Sequence, residues 1–176
     1  FEDGLVPDAA GGLLRAVAGG IGYRAIRNRG TLGGSLAHAD SSAEWPVVMS
    51  ALGARVVVAS AARGTRTVRA GEFVEGFFTS ALDDDEAVVA VEVPRLAAGA
   101  RWGFAKTARK PGEFAESLAV AVVAADGTAE VWLGAAASVP LRIDAVRDLL
   151  VARDGSPWGE DAAADVVAAV GGALDD

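Results

Sequence analysis

Apolar positions in this chain recur with two periods, and the switches between them mark out its elements. Leu13, Leu14 and Val17 fall at helical spacing within Pro7–Ala18, and Gly19-Gly20 closes the pattern, which predicts a short amphipathic helix. Tyr23–Arg29 reads as an extended lead into a glycine-rich stretch. Val47, Val48, Ala51 and Leu52 then predict a second helix, introduced by Ser41-Ser42-Ala43-Glu44 in capping-box order, with Pro46 in its first turns. Alternating runs at Ala54–Ala59 and Thr65–Arg69 flank Ser60–Gly64 and predict a hairpin. Phe73, Phe77 and Phe78 are expected in the core, and Val88–Val93 reads as a strand stopped by Pro94.

Arg95–Ala100 is a small Ala/Gly linker and the best place for a boundary, giving units 1–97 and 98–176. In the second unit, Gly103–Ala108, Leu118–Ala125 and Ala129–Ala135 predict three strands, the last two joined at the turn Asp126-Gly127. Helical spacing returns in Arg142–Val151 and Glu160–Leu174, separated by Asp154-Gly155-Ser156-Pro157. Strands followed by helices predict an α+β unit, a three-stranded antiparallel sheet with helices on one face.

Composition narrows the chemistry. With 52% hydrophobic residues in 176, the chain has ample material for a core. Twenty-four acidic against sixteen basic residues leave a net charge of −8, which opposes non-specific binding to nucleic acid or to an anionic membrane. Zero cysteines and one histidine leave no ordinary ligation for zinc or an iron–sulfur cluster, so redox metals are expected on another polypeptide. No apolar run approaches the ~20 residues of a membrane span and no signal peptide opens the chain, so the default expectation is cytoplasmic. Asp83-Asp84-Asp85-Glu86 reads as a solvated turn in preference to a metal site.

The stretch with the most chemistry is Ile26–Pro46, IRNRGTLGGSLAHADSSAEWP. Gly30, Gly33 and Gly34 allow φ > 0 and close approach of main-chain N–H groups to an anion. Thr31 and Ser35 add hydroxyl donors, and Arg27 and Arg29 add positive charge. A diphosphate suits such a loop, and a plain tight turn is the competing reading. The spacing matches neither GxxxxGK[ST] nor GxGxxG, which excludes the P-loop and the Rossmann fingerprint. Ser35, His38 and Asp40 lie too close along the chain to be evidence of a nucleophilic triad. Lys106, Arg109 and Lys110 precede the turn Pro111-Gly112-Glu113-Phe114 and read either as a solvated basic edge or as a contact surface.

The same residues carry a resemblance. IRNRGTLGGSLAHADSSAEWP, with ALGARVVV, RTVRAGEFVEGFFTSAL, AVVAVEVP and FAKTARKPGEFAESLAVAVV, closely resembles the flavin-carrying medium subunit of molybdenum hydroxylases, the carbon monoxide dehydrogenase and xanthine dehydrogenase family. The resemblance implies an oxidoreductase subunit with FAD as cofactor, whose diphosphate is held by Thr31, Leu32, Gly33, Gly34 and Ser35, with Glu44 as a second contact. Glu44 thus has two compatible readings, helix cap and cofactor contact. It further implies a molybdopterin-binding large subunit and a [2Fe–2S] small subunit as partners, in a dimer of heterotrimers. Electrons from the clusters would pass through FAD to NAD⁺, oxygen or a quinone-type acceptor. In that frame residues 1–97 are an incomplete FAD-binding domain and 98–176 the C-terminal α+β domain. An earlier Gly-rich loop is expected in the family; Ala10–Gly12 and Ala18–Gly20 resemble it but lack a preceding strand, so N-terminal truncation is expected. Two other functions compete: a flavin-free interaction module keeping the fold, and a stand-alone flavin reductase.

Overall fold

A computed structural model describes residues 1–151 and 160–175, so the Asp154–Pro157 turn lies outside the described residues. Four helices come first: α1 (Leu13–Gly20), α2 (Arg24–Arg27), α3 (Leu32–His38) and α4 (Glu44–Ala51). Leu13, Leu14 and Val17 are buried as their spacing predicts. Asp8 holds the approach to α1, its carboxylate accepting from the N–H groups of Ala10 at 2.8 Å and Arg15 at 2.9 Å. Where an extended lead is expected, Tyr23 instead starts the single turn α2, because its carbonyl accepts from the N–H groups of both Ile26 and Arg27.

The predicted hairpin forms as β1 (Arg55–Ser60) and β2 (Gly64–Arg69), and β5 (Glu86–Glu92) adds to the other edge of β1 in an antiparallel sheet ordered β2-β1-β5. Between them lie the turn α5 (Ala70–Phe73) and a small hairpin of β3 (Val74–Gly76) and β4 (Thr79–Ser80). Strands β6 (Arg101–Thr107), β7 (Ser117–Val123) and β8 (Ala129–Gly134) match the three expected, and the two-residue β9 (Leu141–Arg142) makes the sheet four-stranded. The turn before β8 is held by Asp126, whose Oδ1 accepts from both the N–H and the hydroxyl of Thr128. Helices α6 (Asp144–Val151) and α7 (Glu160–Asp175) complete the described chain.

Alternation along β7 sends Leu118, Val120 and Val122 to one face and Ala119, Ala121 and Val123 to the other. The second face, with Val131, Ile143 and Val146, takes α6 and α7 as expected. The first face is covered too: it joins α1, α4 and β1 in one buried cluster that runs across the 97/98 division. A Cβ on Gly134 would overlap Val47, so only glycine lets α4 lie this close to β8. Hydrogen bonds also cross that division: Trp102 Nε1–H donates to the Gly11 carbonyl and Ala135 N–H to the Ser41 carbonyl, each at 2.9 Å.

The acidic run is used by arginines of the first hairpin. Arg63 pairs with Asp83 and Asp85, and Arg66 with Glu86, which locks the β1–β2 turn to the start of β5. The Arg66 guanidinium, then the Asp83 N–H, hold the Glu86 carboxyl at about 2, against an ordinary 4.5. Because this folded value lies below the unfolded one, the stability it contributes is present above the ordinary value and is lost as pH falls toward the folded one. Thermal unfolding followed by circular dichroism is expected to show a midpoint that drops through this acid range. Glu86→Gln is expected to flatten part of that drop, and a profile superimposable on the parent would remove Glu86 from the account.

Candidate functional site

The glycine-rich stretch is a helix start. Thr31 takes an extended conformation (φ −127°, ψ 152°) as N-cap of α3, and its Oγ1 accepts from the Gly34 N–H at 3.0 Å. Its carbonyl accepts from the Ser35 N–H at 3.0 Å. The N–H groups of Leu32 and Gly33 have no acceptor among the described residues. None of Gly30, Gly33 and Gly34 has φ > 0, so the expectation of left-handed glycines is corrected. Close approach explains two of them. A Cβ on Gly33 would sit 3.3 Å from Cγ1 of Val88 on β5, and one on Gly34 would sit 2.8 Å from the capping Oγ1 of Thr31.

The two arginines before this helix divide. Arg27 is withdrawn from it, donating to both Glu2 carboxylate oxygens at 2.8 and 3.0 Å and to the carbonyls of Ile21 and Gly22. Arg29 is exposed. Ser35 is half-buried in the first turns of α3.

Glu44 does not close a capping box. The N-cap of α4 is Ala43, without a side-chain bond, and the residue that organises the preceding turn is Asp40, whose Oδ1 accepts from the Ser42 N–H at 2.8 Å. The Glu44 side chain, 6% exposed, turns inward instead to Lys106 Nζ on β6 at 2.6 Å, and the lysine side chain is 12% exposed. This contact joins residues 62 apart in sequence, which no local spacing signals.

Lys106, Arg109 and Lys110 do converge, on a cleft of about 800 Å³ that also takes Tyr23, Arg24 and Arg27 from the first unit. No carboxylate lines it. Glu113 pairs with both Arg109 (3.4 Å) and Lys110 (3.3 Å) at its rim.

His38, in the last turn of α3, lies against Phe78 with ring centroids 5.0 Å apart and planes at 44°. Of the three phenylalanines expected in the core only Phe73 is buried; Phe77 and Phe78 form the exposed tip of the β3–β4 hairpin. A two-residue turn leaves its side chains no neighbouring layer to enter, which aromatic content alone does not reveal.

Known proteins resemble this chain. Residues 6–96 match the model of the FAD binding domain in molybdopterin dehydrogenase. Over 83% of the chain there is 34% identity with the caffeine dehydrogenase subunit beta of Pseudomonas sp. (strain CBB1), of which the match covers 50%. The carbon monoxide dehydrogenase medium chain of Hydrogenophaga pseudoflava is 31% identical over 90% of the chain and 56% of its own length. The crystal structure of quinoline 2-oxidoreductase from Pseudomonas putida 86 superposes with a TM-score of 0.79 at 37% identity, covering 89% of this chain and 54% of that one. The chain therefore spans about half the length of the relatives it matches.

Removing one partner of the Glu44–Lys106 pair leaves a charge in a nearly dry site. Lys106→Met is expected to cost on the order of 3 kcal/mol in urea unfolding, and Lys106→Met with Glu44→Leu to recover most of it. Equal loss in single and double variants would show that the charges do not interact.

Proposed function

The chain belongs to the FAD-binding domain family of molybdopterin dehydrogenases, and from that premise we propose that it is part of the FAD-carrying electron-transfer subunit of a molybdenum hydroxylase. The observation that carries the reading is the start of α3: two adjacent N–H groups, Leu32 and Gly33, without acceptors inside the matched segment. A helix start also carries partial positive charge, so these amides fit a phosphate oxygen.

The remaining residues fit the same cofactor. Thr31 accepts from Gly34 through its oxygen and keeps its hydroxyl hydrogen to donate. Ser35 supplies a second hydroxyl one turn on. Glu44 spends Oε1 on Lys106, which leaves Oε2 to accept from a hydroxyl of the cofactor's sugar or ribityl chain. Thr31, Leu32, Gly33, Gly34 and Ser35 would thus hold the diphosphate, with Glu44 alongside. When bound, FAD supplies the redox group that takes electrons from a [2Fe–2S] partner and hands them to an external acceptor. The protein's part is to place it.

The same reading gives the chain a molybdopterin-binding large subunit and a [2Fe–2S] small subunit as partners, in a cytoplasmic dimer of heterotrimers, with 1–97 as the FAD-binding unit and 98–176 as the C-terminal one. Naming of the relatives as a subunit beta and a medium chain supports it.

Purified chain titrated with FAD is expected to take up one equivalent and to show a bound-flavin absorbance spectrum. Replacing both Gly33 and Gly34 by valine is expected to abolish uptake while the β6–β9 sheet stays folded. A chain that remains colourless at saturating FAD would favour the interaction module, and turnover of NAD(P)H without partner subunits would favour the flavin reductase.

A further inference from the structure

The two ends of the first hairpin treat their arginines differently. Near the β1–β2 turn, Arg63 and Arg66 are matched by Asp83, Asp85 and Glu86. At the open end, Arg55 of β1 and Arg69 of β2 stand directly opposite each other in the antiparallel register, and both are exposed. Opposed residues send their side chains out of the same face with Cβ atoms about 5 Å apart, and like charges so placed repel. Little answers them. Arg55 has Glu92 of β5 at 3.9 Å, and Arg69 has neither an ion pair nor a side-chain hydrogen bond among the described residues.

Both arginines line a cleft of about 920 Å³ at the C-terminal end of α4, a volume within the range of small-molecule sites. Leu96, Val122 and Trp132 give the cleft an apolar side. Trp132 is held against α5, where a Cβ on Gly71 would fall 2.7 Å from its Cη2. Two carboxylates also line the cleft. Glu130 is already spent, its Oε2 accepting from the Trp132 indole N–H at 3.0 Å and its Oε1 pairing with Arg142 at 3.1 Å. Glu72 is exposed and makes no ion pair with either arginine. None of Thr31, Leu32, Gly33, Gly34, Ser35 and Glu44 lines the cleft. The eight residues of α4, about 12 Å at the helical rise, separate its Glu44 end from the end that borders the cleft.

We infer that this cleft is a second ligand site, taking a small organic anion whose phosphate or carboxylate lies between Arg55 and Arg69 and whose apolar body lies toward Leu96, Val122 and Trp132. A guanidinium fork presents paired donors that match an oxyanion, and forks from adjacent strands can share one. The bound anion supplies the negative charge that the register leaves out. Repulsion kept at this end of the hairpin, in a chain of net charge −8, marks a pair held for an incoming charge. The inference does not depend on the FAD reading.

Calorimetric titration of the chain in phosphate-free buffer with phenyl phosphate, benzoate and inorganic phosphate tests it. Phenyl phosphate and benzoate carry the two headgroups on one apolar body, and the tighter of them identifies the headgroup. Inorganic phosphate lacks the body and is expected to bind roughly 10-fold more weakly than phenyl phosphate. Arg55→Met and Arg69→Met are each expected to raise the Kd for the tighter probe by roughly 10-fold or more. Removing one of two opposed like charges relieves repulsion, so Arg69→Met is expected to hold or raise the thermal midpoint of the empty chain, which separates lost binding from lost folding. FAD uptake is expected to be unchanged in both variants, and saturating FAD is expected not to displace the probe. A parent chain that binds neither phenyl phosphate nor benzoate at millimolar concentration overturns the site, as does binding that survives both substitutions. Displacement by FAD overturns its separation from the cofactor site. A chain that takes up no FAD and still binds the probe through these arginines defeats the FAD reading and supports this one.

Discussion

Every residue of α4 is buried, its first being a glutamate, and the ammonium of Lys106 at 2.6 Å is what permits that. A carboxylate taken out of water without a partner costs several kcal/mol, so the helix can occupy the middle of the molecule only if β6 delivers a cation to its start. The pair is therefore a condition on the fold as well as a contact. It obliges the second sheet to sit where Lys106 reaches α4, and with it the cluster formed by Leu118, Val120 and Val122 against Val47 and Val48. The matched family segment ends at residue 96, yet its central helix is covered by residues beyond 117.

Missing side-chain volume does the complementary work. Gly134 lets α4 approach β8, Gly71 accommodates the edge of Trp132, and Gly33 lets α3 lie on Val88. An added methyl group would overlap its neighbour at Gly134 and Gly71 and would crowd Val88 at Gly33. The consequence for function is indirect: α3 is held close against β5, which fixes the place of its N-terminal amides. Rigid support of that kind is what a cofactor site needs.

Charge is distributed against the average. A chain with net charge −8 gathers five cationic side chains around one cleft, while its acidic run is neutralised at the far end of the first hairpin by Arg63 and Arg66. The carboxylates paired with the cleft cations, Glu2, Asp3, Glu44 and Glu113, are not part of the cleft lining. The surface thus presents positive charge locally although the molecule as a whole is acidic.

Local pattern determined much of this protein. The buried faces of α1 and α4, the β1–β2 hairpin, β5, the three long strands of the second sheet and the turn at Asp126-Gly127 are legible because periodicity and turn chemistry act within a few residues. The stretch around Gly33 and Gly34 stands out on composition alone. Its conformation does not, because whether Thr31 caps a helix or bends a loop depends on Val88 packing beneath the glycines, a contact 55 residues away. Tertiary structure alone decided that Glu44 faces Lys106 instead of capping α4, that Arg27 turns to Glu2, and that Phe77 and Phe78 stay in water while Phe73 does not. In each case the competing states differ in desolvation and pairing with distant groups. Such energies are set by what the fold brings alongside, and a linear pattern contains no measure of them.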